Sequence, residues 1–137
     1  MIPIADTGVK AERMILSRLR TETGQDHVRL EADLDLLRAD MRLDSYRDLL
    51  ARFYGFYVPW EREVTRNLPE NLTDFFHERR KVPKLLADLE FLGRERVDGL
   101  PLCRSLPSLD SVPRILGSLY VVEGATLGGQ LISPPHA

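Results

Sequence analysis

The segment Tyr120-Val121-Val122-Glu123-Gly124-Ala125-Thr126-Leu127-Gly128-Gly129-Gln130 sets three glycines and an alanine inside an apolar run. Gly124 and Gly128 stand one helical turn apart, so a helix here has one face without side chains over a full turn. Glycine in a helix interior costs stability, and in return the backbone can approach something flat or bend. One rival is a strand entering a nucleotide loop. The spacing is G-x-x-x-G-G rather than G-x-G-x-x-G, no Gly-Lys-Ser/Thr follows, and no acidic ribose partner comes after it. The other rival, two helices packed closely across small residues, fits the same pattern.

Outward from this segment the patterning is helical throughout. From Ser111, with Pro113 in the first turn, Ile115, Leu116, Leu119 and Tyr120 lead the last helix toward Ile132, and Ser133-Pro134-Pro135-His136-Ala137 ends it. Residues 1–10 read as a short irregular lead with Pro3, Asp6 and Gly8, so the helical domain is expected over 11–137. From Ala11 to about Leu37 the apolar positions Ile15, Leu16, Leu19, Leu30, Leu34 and Leu37 recur at helical spacing. The polar middle, Thr21 to Asp26 with Gly24, fits either a break or a face turned away from apolar partners. A second helix is expected from an Asp44 or Ser45 cap to about Asn67. It carries Tyr46, Leu49, Leu50, Phe53, Tyr57 and Trp60 at a 3–4 spacing, with Phe53, Tyr57 and Trp60 read as core, and a kink or local irregularity is expected at Pro59. A loop with Pro69 and Asn71 follows, and a third helix from Val82, with Pro83 in its first turn, to about Arg96. Residues 98–110 read as a loop. No strand pattern competes, so the fold class is all-α.

The chain has 137 residues, 43% apolar and 29% charged, and a net charge of -2. Such a composition folds as a soluble domain, and it excludes disorder and general polyanion binding. Charges such as Glu123 keep every apolar run short of the ~20 residues a membrane span needs. Cys103 alone excludes an internal disulfide and a cysteine metal site, and a reducing cytoplasmic setting is the simplest expectation. The opening Met-Ile-Pro-Ile-Ala-Asp lacks the basic lead and apolar stretch of a secretory signal.

His27 and Glu31 stand at i and i+4 on the first helix. A carboxylate one turn away can hold one ring nitrogen and leave the other as the neutral donor that a metal or haem iron requires. A solvated surface pair has the same spacing. Gly24, Thr23 and Arg20 continue the face of His27. Gly24 costs about 1 kcal/mol relative to Ala and admits a flat group. Arg20, two turns away, can pair with a ligand carboxylate. His77, His136 and Cys103 have no neighbour that argues for a role.

Leu19-Arg20-Thr21-Glu22-Thr23-Gly24-Gln25-Asp26-His27-Val28-Arg29-Leu30-Glu31 resembles the proximal helix of haem oxygenases, and Tyr120 to Gln130 resembles their distal helix. Tyr46 to Glu63 is similar to the family's second helix, and the likeness runs from about residue 13 to 132. The distal wording is closest to bacterial members, including those that supply biliverdin to bacteriophytochromes. The resemblance implies a haem-oxygenase-like helical bundle in which haem is both cofactor and substrate. It would be opened with O₂ and electrons from a ferredoxin or reductase to biliverdin, CO and Fe²⁺. It implies His27 as the proximal ligand of the haem iron and Glu31 as its partner. Arg20 would lie on a propionate with Thr23 beside it on the cofactor-binding face, and Gly124 and Gly128 on the distal, catalytic side.

Two departures accompany the likeness. Ala125 stands where animal members carry an aspartate, a residue that related bacterial proteins also lack. The family continues past the distal helix, so a bundle missing its C-terminal helices is expected. Apolar faces left bare would then favour a homodimer. Two alternatives to the enzyme remain: a haem-binding protein inactive through truncation, and an interaction protein using the fold without haem. No nucleic-acid or membrane partner is expected.

Overall fold

The computed structural model describes residues 5–34, 42–94 and 96–132, with side-chain surroundings for all but 5–7, 34 and 125–132. Residues 1–4 of the expected lead, the first helix beyond Leu34, and the tail with His136 lie outside the described residues. The described elements are α1 (Ala5–Leu34), α2 (Leu43–Asn67), a 3₁₀ turn at Glu70–Leu72, α3 (Thr73–His77), α4 (Val82–Phe91) and α5 (Val112–Ile132). Among the described residues there is no strand, so the all-α class holds. The chain divides into two compact units, Met1–Arg38 and Ala39–Ala137.

The first unit is helix α1. It begins at Ala5, so residues 5–10 of the expected irregular lead are helical. The penalty at Gly8 is small beside the hydrogen bond that each residue adds to a growing helix. Thr21 to Asp26 does not break the helix either. Thr21 and Thr23 donate their hydroxyls to the carbonyls of Ser17 and Leu19, at 3.0 and 2.7 Å. Arg18 Nε pairs with Glu22 at 2.7 Å. These local bonds hold a polar stretch helical without a core.

The second unit is organised around α2. The helix starts one residue before the expected caps, at Leu43, and its N-cap Arg42 gives no side-chain bond. Asp44 lies in the first turn and accepts from Arg47. Its first half packs Leu50 and Ala51 against Leu85 and Leu89 of α4. Its second half packs Trp60 and Val64 with Phe76 and with Ile115, Leu119 and Val122 of α5. Tyr57 touches both clusters, and Trp60 stands edge-on to Tyr57 and Phe76 at 6.0 and 5.8 Å between ring centres. Trp60 also donates its indole N–H to Ser118 Oγ at 3.1 Å, which satisfies the one polar atom that this burial would strand.

Helix α2 continues across Pro59. Proline has no N–H for the carbonyl four residues back, that of Gly55. That carbonyl instead accepts from the backbone N–H of Cys103 at 2.8 Å. The 98–110 segment comes so close there that a Cβ on Gly55 would stand 2.4 Å from the Pro101 carbonyl oxygen. Gly55 and Pro59 together form the seat of that segment, which buries Leu109 in the core.

Helix α4 stops at Phe91, five residues short of the expected end. Gly93 takes φ +86°, its N–H bonds to the Glu90 carbonyl, and the Arg94 N–H bonds to that of Leu89. This Schellman arrangement closes a helix and favours glycine because a side chain is strained at positive φ. At the other end, Lys81 gives α4 no side-chain cap. The cap comes from α2. Glu61, 3% exposed, accepts the backbone N–H groups of Lys81 and Val82 and pairs with Arg80 Nε at 3.1 Å.

Candidate functional site

On α1 the described geometry brings Arg20, Thr23, Gly24, His27 and Glu31 onto one stripe. His27 Nδ1 lies 3.2 Å from Glu31 Oε1, and both side chains are exposed. With Nδ1 facing the carboxylate, Nε2 is the nitrogen left available to a ligand. Among the described residues it has no partner. One turn earlier, a Cβ on Gly24 would meet nothing within 4 Å. Thr23 already donates its hydroxyl to Leu19, so toward a ligand it offers an acceptor only. Arg20 makes no ion pair among the described residues and flanks a shallow depression with Arg13, Leu16, Ser17 and Thr21.

This arrangement fits a haem face in its chemistry. One imidazole is oriented by a carboxylate, open backbone lies beside it, and a guanidinium stands two turns along. A porphyrin would bring four ring nitrogens to its own iron, so a single histidine from the chain would suffice. Among the described residues no group of three or more His, Cys, Asp or Glu converges to hold a bare metal ion.

Helix α5 carries the second set. Ile115, Leu119 and Val122 are buried, whereas Leu116, Tyr120 and Val121 are exposed. Gly124 falls on the exposed side, with nothing within 4 Å of where a Cβ would stand. Gly128 lies within α5, and its surroundings are outside the described residues. Among the described residues, nothing covers the position of Gly124.

A residue set that the sequence reading passed over lies beneath that face. Glu123, next to Gly124, approaches Lys81 Nζ at 3.6 Å through Oε1. The Tyr57 phenol is pushed above its ordinary range, first by burial and then by the negative charges of Glu123 and Glu61. The signal was present as Tyr57, Trp60, Glu61 and Val64 at i, i+3, i+4 and i+7, an acid within an apolar stripe. A buried acid at such a position requires donors from elsewhere in the fold.

Comparison with known proteins decides the family. Residues 13–134 match the family model described as Heme oxygenase. The chain belongs to the haem oxygenase family. A relative named heme oxygenase, from Xanthomonas campestris pv. campestris (strain 8004), is 31% identical over 90 residues, 66% of this chain and 52% of the relative. The chain thus spans about half the length of that haem oxygenase. No solved structure matches the chain. No described helix is long and apolar enough to cross a membrane.

Proposed function

We propose that this chain carries the haem-binding half-sites of a haem oxygenase, with His27 on the proximal side and the Gly124–Gly128 face of α5 on the distal side. The observation that carries the reading is the His27 Nδ1 to Glu31 Oε1 approach of 3.2 Å beside an open Gly24. Haem, when bound, supplies the iron that activates O₂ and the ring that is opened to biliverdin, CO and Fe²⁺. The electrons come from a ferredoxin or reductase, and a bacteriophytochrome is the biliverdin acceptor.

The residues act by binding and orientation. Glu31 keeps the proton on Nδ1 of His27, so Nε2 presents a lone pair to the iron. Gly24 removes the side chain that would hold a flat ligand away from the helix. Arg20 pairs with a propionate, and its rigid fork sets the ligand's rotation in the plane. Gly124 and Gly128 leave space over the opposite face for a small ligand and water, without a side chain to react. Family membership and the continuous stripe on α1 both support this assignment.

The test mixes the 137-residue protein with haem and a chemical reductant and follows absorbance. A histidine-ligated Soret band, followed by its loss with biliverdin formation, is expected. A Soret band that persists under reductant and O₂ refutes the catalytic reading, and absence of any band refutes haem binding.

A further inference from the structure

Glu61 does more than neutralise Arg80. By accepting the N–H groups of Lys81 and Val82 it pins the backbone at the entrance to α4. The Lys81 side chain, 18% exposed, then turns toward α5 and places Nζ 3.6 Å from Glu123 Oε1. That oxygen is buried and accepts no hydrogen bond among the described residues. The ammonium is therefore its main compensation, because a carboxylate oxygen shut off from water needs a nearby positive charge. The rest of the Glu123 side chain reaches the surface.

Glu123 directly precedes Gly124, and successive residues of a helix are rotated by about 100°. Holding Glu123 inward against Lys81 thus sets the direction in which Gly124 faces. The other described contacts of α5 with α2 are one hydrogen bond, from the Trp60 indole to Ser118, more than a turn before Glu123, and the apolar packing of Ile115, Leu119 and Val122. Such burial is non-directional and tolerates small rotations of a helix. A charge pair anchored through Lys81 to a capped helix start does not.

We propose that Glu61, Lys81 and Glu123 form a positioning relay from α2 through the start of α4 to α5, which fixes the rotation of α5 and the aim of its Gly124 face. The relay gains its catalytic meaning from the haem reading above, but its mechanical part is a property of the haem-free protein. Lys81 and Glu123 are positioning residues and touch no reacting atom.

The experiment compares the 137-residue protein with Lys81→Met, with Glu123→Gln, which keeps the side chain's shape, and with the swap Lys81→Glu/Glu123→Lys. Without haem, amide hydrogen exchange along residues 119–124 is expected to quicken about tenfold in both single variants while the middle of α2 is unchanged. With haem and carbon monoxide, the C–O stretch is expected to shift or split while the iron–histidine stretch stays in place. The swap is expected to return both signals toward the original. Should Lys81→Met fail to fold, Glu123→Gln carries the comparison alone. Unchanged exchange and an unchanged C–O band in a folded single variant overturn the relay. A protein that never binds haem refutes the functional reading instead, and the exchange data then decide the relay by themselves.

Discussion

Replacing Gly55 by alanine is a one-methyl change with a large expected effect. The added Cβ would stand 2.4 Å from the carbonyl oxygen of Pro101, a distance that real contacts do not tolerate. The neighbour is backbone, so it cannot swing aside as a side chain does. The 98–110 segment has to back away by about 1 Å, an overpacking cost of roughly 1–3 kcal/mol. The shift strains the Cys103 N–H to Gly55 carbonyl bond, now 2.8 Å, with a further loss of about 1 kcal/mol. It also loosens Leu109, which that segment buries. Against this, alanine is the better helix former by about 1 kcal/mol. The balance is a destabilisation of about 2 kcal/mol. Gly117 is the control, a glycine within α5 whose Cβ would meet nothing within 4 Å. There the same substitution is expected to stabilise by roughly 0.5–1 kcal/mol. Urea unfolding of both variants, followed by circular dichroism, measures the two effects. A Gly55→Ala variant as stable as the parent would refute the close seat of the 98–110 segment on α2.

Glu61→Ala removes the cap of α4 and the partner of Arg80 together. Because Arg80 is itself partly exposed, the expected cost is at the low end of that for breaking a buried pair, about 3 kcal/mol by urea unfolding. Glu61→Gln, which keeps an acceptor for the two N–H groups, should cost less than half of that. For Tyr57, a phenol raised above its ordinary range by burial and by Glu123 and Glu61 favours the folded state at neutral pH. The unfolded chain ionises first, so that contribution is whole below about pH 10 and is lost as pH rises through the folded value. Ultraviolet titration should show a late phenolate step that Tyr57→Phe removes, and an early step at Tyr57 would contradict the burial. Gly93→Ala places a side chain at φ +86°, and thermal melts should show a loss of about 1 kcal/mol.

The sequence was readable wherever one element supplied its own evidence. The all-α class, α2 with its aromatic stripe, the start of α4 at Pro83 and the start of α5 near Ser111 follow from periodicity and prolines within each segment. The His27–Glu31 spacing likewise needs only one helix to bring the two side chains within reach. What escaped depends on partners remote in sequence. Nothing local to Glu61 shows that its donors come from the start of α4, 19 to 21 residues later. The carbonyl freed by Pro59 finds its donor in Cys103, and only the folded chain reveals that. The stop of α4 was legible in Leu92-Gly93-Arg94, a local signal outweighed by the apolar periodicity that runs on to Leu92. The irregular lead expected over residues 1–10 is helical from Ala5 on, because one glycine costs little in a helix as long as α1.

The central claim is that His27 is the protein ligand of a haem iron, with Glu31 setting its free nitrogen. Its most direct test is the absorption and resonance Raman spectrum of haem mixed with the His27→Ala protein, before and after adding imidazole. The account predicts loss of the histidine-ligated Soret band and of the iron–histidine stretch, with partial recovery when imidazole fills the space. A histidine-ligated spectrum that survives the substitution unchanged would contradict it.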